Sequence, residues 1–131
     1  MIVIDASAVA ELLLQTDAGA RVERRIFSAD DEFHAPHLLD VEVVSALRRL
    51  VLARELSTER AEQAIEDYAS LRIVRHQHLD FIHRAWQLRR NLSAYDAVYV
   101  ALAESLNATL VTCDRPLGSA PGHSARVDVI R

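Results

Sequence analysis

The chain contains no lysine, a single cysteine, three glycines, three prolines and few aromatic residues. Each scarcity excludes something. Cys113 alone cannot form an internal disulfide, so a cross-linked secreted scaffold is ruled out. With aromatics at 5%, the core has to be built from Leu, Val, Ile and Ala. Half of the 131 residues are apolar, enough to fill one ordinary domain over residues 1–131. The longest apolar runs, such as Leu12 to Leu14, fall far short of the roughly 20 residues of a membrane span. The opening Met1-Ile2-Val3-Ile4-Asp5 has neither the basic region nor the cleavage site of a signal peptide. These features point to the cytoplasm and away from a membrane. A net charge of −4 argues against a general nucleic-acid coat protein. All fifteen cations are arginine. Compositional bias accounts for that most simply, and solvated helix faces account for the pairs Arg24-Arg25, Arg48-Arg49 and Arg89-Arg90. The sharper alternative is that these guanidinium forks supply local phosphate-binding patches on an acidic protein.

Short apolar runs alternate with helical patterns. Ile2-Val3-Ile4 reads as a buried strand that ends at Asp5, and Ser7 is placed to cap the following helix through Leu14. Asp17 reads as the next cap. Glu32 to Ala35 is a second strand, closed by Pro36. A long helix from Leu38 to about Arg54 carries Leu39, Val43, Leu47, Leu50 and Val51 at helical spacing. Ser57 caps a further helix, Arg72-Ile73-Val74 is a third strand, and Phe81 to Leu88 is helical. Ser93 opens a helix that stops near Asn107. Thr109 to Thr112 and Val127 to Ile130 are the last two strands, and Gly118 to His123 is a turn-rich loop. No internal repeat or low-complexity segment occurs. Strands alternating with helices predict an α/β fold with a mainly parallel sheet covered on both faces.

Acids stand where such a fold places chemistry. Ligands of open parallel sheets bind beyond the carboxyl ends of the strands. Asp5 and Asp114 each follow an apolar strand directly. Asp96 lies in the first turn of its helix, and Glu42 interrupts the apolar run Leu38 to Val44. Both helices begin near the same sheet edge, so the four acids are expected to converge. Two carboxylates about 6 Å apart repel by roughly 3 kcal/mol at an effective dielectric near 20. Several such pairs rival the 5–15 kcal/mol stability of a small domain unless a cation sits among them or some acids are protonated. Hard oxygen donors without clustered Cys or His favour Mg²⁺ or Mn²⁺, and such sites hydrolyse phosphodiesters. Each acid has a blander reading. Asp5 caps a helix or pairs with an arginine, Asp96 complements a helix dipole, Glu42 is solvated, and Asp114 is a turn residue before Arg115-Pro116. Ser7 is more often a cap than a nucleophile, and could also orient Asp5 or a metal-bound water. Asp40, on another helix face, is expected to be solvent-exposed. His76 and His78 read as surface residues, and Cys113 as a small buried side chain.

At these positions the sequence resembles the PIN-domain nucleases, and within them the VapC toxins of bacterial toxin–antitoxin pairs. Four segments carry the resemblance: Ile4-Asp5-Ala6-Ser7, Glu42-Val43-Val44-Ser45-Ala46-Leu47-Arg48-Arg49, Ser93-Ala94-Tyr95-Asp96-Ala97 and Thr112-Cys113-Asp114-Arg115-Pro116-Leu117. They occur in the family order and span nearly the whole chain. The resemblance implies a three-layer α/β/α sandwich with a five-stranded, mainly parallel sheet. It implies Mg²⁺ or Mn²⁺ held by Asp5, Glu42, Asp96 and Asp114, cleavage of RNA such as tRNA or rRNA, a homodimer, and a VapB-like antitoxin in a larger assembly. Thr112 takes the place of the polar residue that supports the last acid. Some relatives carry another acid just after that point, where this chain has Arg115, Pro116, Leu117 and Gly118. An inhibitor of such a pocket is expected to insert an Arg or Lys among the carboxylates.

Two other readings use the same features. Receiver domains and haloacid-dehalogenase-like phosphatases also set acids at strand ends. The former need a lysine, and the latter an Asp-x-Asp motif whose third position is Ser7 here. A catalytically weak PIN-like module that only binds RNA or a partner is the non-enzymatic alternative.

Overall fold

The computed structural model describes all residues from Met1 to Arg131. Five strands, β1 (Ile2–Ile4), β2 (Phe33–Pro36), β3 (Ile73–His76), β4 (Thr109–Thr112) and β5 (Arg126–Val129), form one sheet in the order β3-β2-β1-β4-β5. Every pairing is parallel. Seven helices connect them: α1 (Ala6–Leu14), α2 (Asp17–Ile26), α3 (Leu38–Leu52), α4 (Thr58–Ala69), α5 (Ile82–Gln87), α6 (Ala94–Leu106) and α7 (Arg115–Ser119). Helices α1 to α4 pack with one another, and α5 packs with α6, which lies along β1, β2 and β4. The result is the α/β/α sandwich expected from the alternation. Parallel strands buried on both faces need continuous apolar runs, and Ile2, Val3, Ile4, Leu110 and Val111 are all within 3% of full burial.

The sheet order fixes the position of the site. The chain lays down β1, β2 and β3 toward one edge, then crosses back to place β4 on the other side of β1. The strand order therefore reverses between β1 and β4, and the crevice beyond their carboxyl ends is where doubly wound sheets take ligands. Asp5 and Asp114 flank that crevice. Helix α6 has to pass close to the sheet there, and its buried run Ala97 to Ala103 includes three alanines that allow the approach. Gly19 does the same between helices: a Cβ there would lie 2.0 Å from the Glu11 carbonyl oxygen.

Several local expectations are corrected. Ser7 does not cap α1. Asp5 does, accepting from the Ala8 amide, while Ser7 lies within the helix. Thr16, not Asp17, caps α2. β2 includes Pro36, and the stretch read as a loop from Gly118 begins inside α7, whose Pro116 sits in the first turn, where a missing amide costs nothing. Asp40 is not a free surface acid. It pairs with Arg75 and accepts from the Tyr68 hydroxyl, because β3 turns Arg75 toward α3. Nor are His76 and His78 simple surface residues. His76 Nε2 lies 2.8 Å from Nδ1 of buried His34, and His78 Nε2 accepts from the Leu38 amide.

Glu104 ties α6 to α5 and to the segment leading into β5. It accepts from Nε and Nη2 of Arg84 and from the amide and hydroxyl of Ser124. The Arg84 hydrogen bonds hold its carboxyl down at about 2. A depressed acid stabilises the fold above its ordinary value, and that contribution is lost as pH falls through about 2. Glu104→Gln is expected to lower stability by about 1–2 kcal/mol at pH 7, with the two proteins converging on acidification. Urea midpoints at both pH values measure this. An equal deficit at pH 2 would show that charge is not the cause.

Candidate active site

The cleft between α1, α3 and the start of α6 holds about 450 Å³. All four expected acids line it: Asp5 from the end of β1, Glu42 from α3, Asp96 from α6 and Asp114 from the end of β4. Three further residues stand on its wall: Arg49, from one of the arginine pairs read above as a phosphate-binding patch or a solvated face, and Glu11 and Tyr99, which sequence reasoning did not single out. Their signal was helical spacing. Glu11 lies four residues after Ser7, Arg49 seven after Glu42, and Tyr99 three after Asp96.

Asp5 is the most constrained of the acids. It is 6% exposed. Its Oδ1 accepts from the Ser7 hydroxyl at 2.7 Å and the Ala8 amide at 3.0 Å, and its Oδ2 accepts from the Thr112 hydroxyl. Three of about four acceptor directions are thereby occupied. Burial nonetheless raises its pKa above the ordinary value, against the lowering effect of those bonds and with a smaller contribution from Asp96. Thr112 and Ser7 join this acid to the other strand end. Thr112 Oγ1 also accepts from the Asp114 amide at 3.0 Å, and Ser7 Oγ accepts from the Cys113 amide at 2.9 Å. Thr112 is fully buried.

Glu42 accepts from the hydroxyl of buried Tyr99 at 2.7 Å. Burial, then the charges of Asp5 and Asp96, push its carboxyl up. Asp96, on an α6 capped by Ser93, is raised by burial and by Asp114. Mutual repulsion among the acids is therefore visible in their proton affinities. Cys113 is half-buried on the same wall. Burial, Asp5 and Glu11 push its thiol up to about 11, so in the free protein it is protonated at neutral pH and a poor nucleophile. No three acidic, imidazole or thiol groups stand close enough together to hold a metal ion among themselves alone.

The profile of the PIN domain matches residues 2–121. The chain belongs to the PIN-domain family. It is 41% identical over 130 residues to ribonuclease VapC12 of Mycobacterium tuberculosis, covering 99% of both chains. The fold is similar to the crystal structure of M. tuberculosis VapC20, described as a Sarcin-Ricin loop cleaving toxin, with a TM-score of 0.66 and 16% identity over 91% of this chain and 94% of that one. It is also similar to VapBC2 from Rickettsia felis, solved with a DNA fragment from its promoter, with a TM-score of 0.65 and 14% identity over 98% of both. Within this PIN fold the carboxylate cleft lies at the switch point of the sheet, beside the helix that carries Tyr99.

Proposed function

We propose that this chain is a metal-dependent endoribonuclease and the toxin of a VapBC-type toxin–antitoxin pair, with residues 1–131 forming a single PIN-like domain. The observation that carries the reading is the meeting of Asp5, Glu42, Asp96 and Asp114 in one cleft at the sheet's switch point. The relationship to a named VapC ribonuclease across the full chain supports the substrate class.

The donor set suits Mg²⁺ or Mn²⁺. Four of the five carboxylates on the cleft wall are the expected acids, against a single thiol and no imidazole. Mg²⁺ keeps several waters and takes one or two carboxylates directly, which agrees with an Asp5 that has about one acceptor direction to spare. In this reading Asp5 and Asp96 would hold the ion directly, and Glu42 and Asp114 would complete the shell or hold its waters. When bound, the ion supplies a water of lowered pKa and stabilises charge on the leaving oxygen. The protein's own contribution is orientation. Thr112 and Ser7 fix the Asp5 carboxylate, and Tyr99 fixes that of Glu42. Glu42, which is not a direct ligand in this reading, lines the cleft where it can accept a proton from an entering water.

A VapB-like antitoxin, a homodimer and a cytoplasmic setting follow from the family reading. No helix is long and apolar enough to cross a membrane. The exposed Leu79, Ile82 and Trp86, at i, i+3 and i+7, offer apolar surface to a second copy. The test is incubation of the purified chain with tRNA and rRNA. Cleavage is expected with Mg²⁺ or Mn²⁺ and none in excess chelator. Failure to cut either RNA, together with no binding of divalent ions at millimolar concentration, would leave only the binding-module reading.

A further inference from the structure

We propose that Arg49 grips an RNA phosphate other than the one being cut, so that the cleft takes a phosphodiester chain and not an isolated phosphate ester. The proposal rests on the ribonuclease reading of the same cleft. Five carboxylates line that cleft, those of Asp5, Glu11, Glu42, Asp96 and Asp114, and Arg49 is the one cation among its lining residues. Despite that company, its guanidinium takes part in none of the chain's ion pairs. Other arginines near acids are committed: Arg25 to Asp128, Arg75 to Asp40 and Arg84 to Glu104. Glu11, on the facing helix, is bonded instead by the Thr16 hydroxyl. An exposed guanidinium thus stands unengaged on the wall of an acidic cleft.

Its place along the cleft indicates what it meets. α1 and α3 both leave the carboxyl edge of the sheet and run down from it, so Asp5 and Glu42 lie at the head of the cleft while Glu11 and Arg49 lie further along. Seven residues, about 10 Å of helix axis, separate Glu42 from Arg49. Ala10 and Ala46 line the stretch between with short side chains that leave room for a strand of nucleic acid. Every phosphodiester that enters is repelled by the carboxylates. A cation bound at the head offsets this for the reacting phosphate only. A second phosphate further along needs its own counter-charge, and an arginine fork meets phosphate oxygens two at a time.

The test measures binding apart from cleavage. In an Asp96→Asn background with Mg²⁺, adding Arg49→Gln is expected to weaken the Kd for a short single-stranded RNA about tenfold. It should also flatten the dependence of log Kd on log salt by about 0.7, the share of one phosphate contact on a single strand. Arg49→Lys should fall between, since it keeps the charge and loses the fork. In otherwise wild-type protein Arg49→Gln should raise KM with kcat within about twofold. Equal affinity and equal salt slope overturn the proposal, as does a fall in kcat at unchanged KM. A wild-type chain that cuts no RNA would sink the ribonuclease reading, while the binding comparison would still decide the role of Arg49.

Discussion

Asp5→Asn is expected to cut ribonuclease activity by about 10³-fold while leaving the fold at least as stable as before. The two halves of this result have separate causes. Asparagine keeps the shape and remains a good N-cap, so the bond from the Ala8 amide survives. What disappears is a buried charge that the fold holds at a cost. A buried acid with a raised pKa destabilises the folded state once ionised, so the penalty is present at neutral pH and relieved as pH falls through the raised value. In chelator at pH 7 the variant is therefore expected to melt no lower than wild type, and to gain up to about 1 kcal/mol. Added Mg²⁺ should raise the melting temperature of wild type more than that of the variant, because a ligand of the folded state stabilises it by mass action. A variant that cuts RNA as fast as wild type would remove Asp5 from the metal site. One that is inactive and also melts much lower would show that Asp5 serves the fold first.

Thr112→Val is expected to do the reverse and harm the fold as well as the chemistry. Valine matches threonine in shape but carries no hydroxyl. The half-buried Asp114 amide then loses its acceptor, and Oδ2 of buried Asp5 its donor, at the floor of the cleft. Leaving buried polar groups unpaired costs about 1–3 kcal/mol each, so a loss of about 2–4 kcal/mol is expected in urea unfolding. Activity should fall about 10–100-fold, as is usual when the partner of a metal-binding carboxylate is removed. Thr112→Ser keeps the hydroxyl and should recover most of both. If Val and Ser variants behave alike, the hydroxyl is not what joins the two strand ends.

Much of this arrangement is legible in the sequence, because strand ends are easy to find. Asp5 and Asp114 each terminate an apolar run, and Asp96 follows a Ser93 that marks a helix start. Those three positions follow from period and capping alone. Glu42 was legible as a charge among apolar residues. What escaped was anything set by the facing of one helix onto another. Glu11 is unremarkable on an amphipathic helix, and the Arg48-Arg49 pair reads as a phosphate patch or a solvated face with no sign that Arg49 faces the acids, until α1 and α3 are laid side by side. Tyr99 sits in an unbroken buried run that gives no hint which residue turns toward Glu42. The capping roles of Asp5 and Ser7 were exchanged for a related reason. Both are good caps, two residues apart; Asp5 takes the role by accepting the Ala8 amide, and Ser7, inside the helix, accepts the amide of Cys113 just beyond β4. Asp40 was misjudged because its partner Arg75 lies 35 residues away, on a strand whose facing the local pattern did not reveal.

The pairing of β1 with β4 joins residues separated by more than a hundred positions. Contacts of such separation form late, after the cost of closing a long loop has been met. A nascent polypeptide leaving the ribosome can already fold its first helices, but its Asp5 has no Thr112 beside it until nearly all of the chain has emerged. A chain cut short before β4 is therefore expected to lack the carboxylate geometry of the cleft, which is completed only when the last third of the polypeptide joins the sheet.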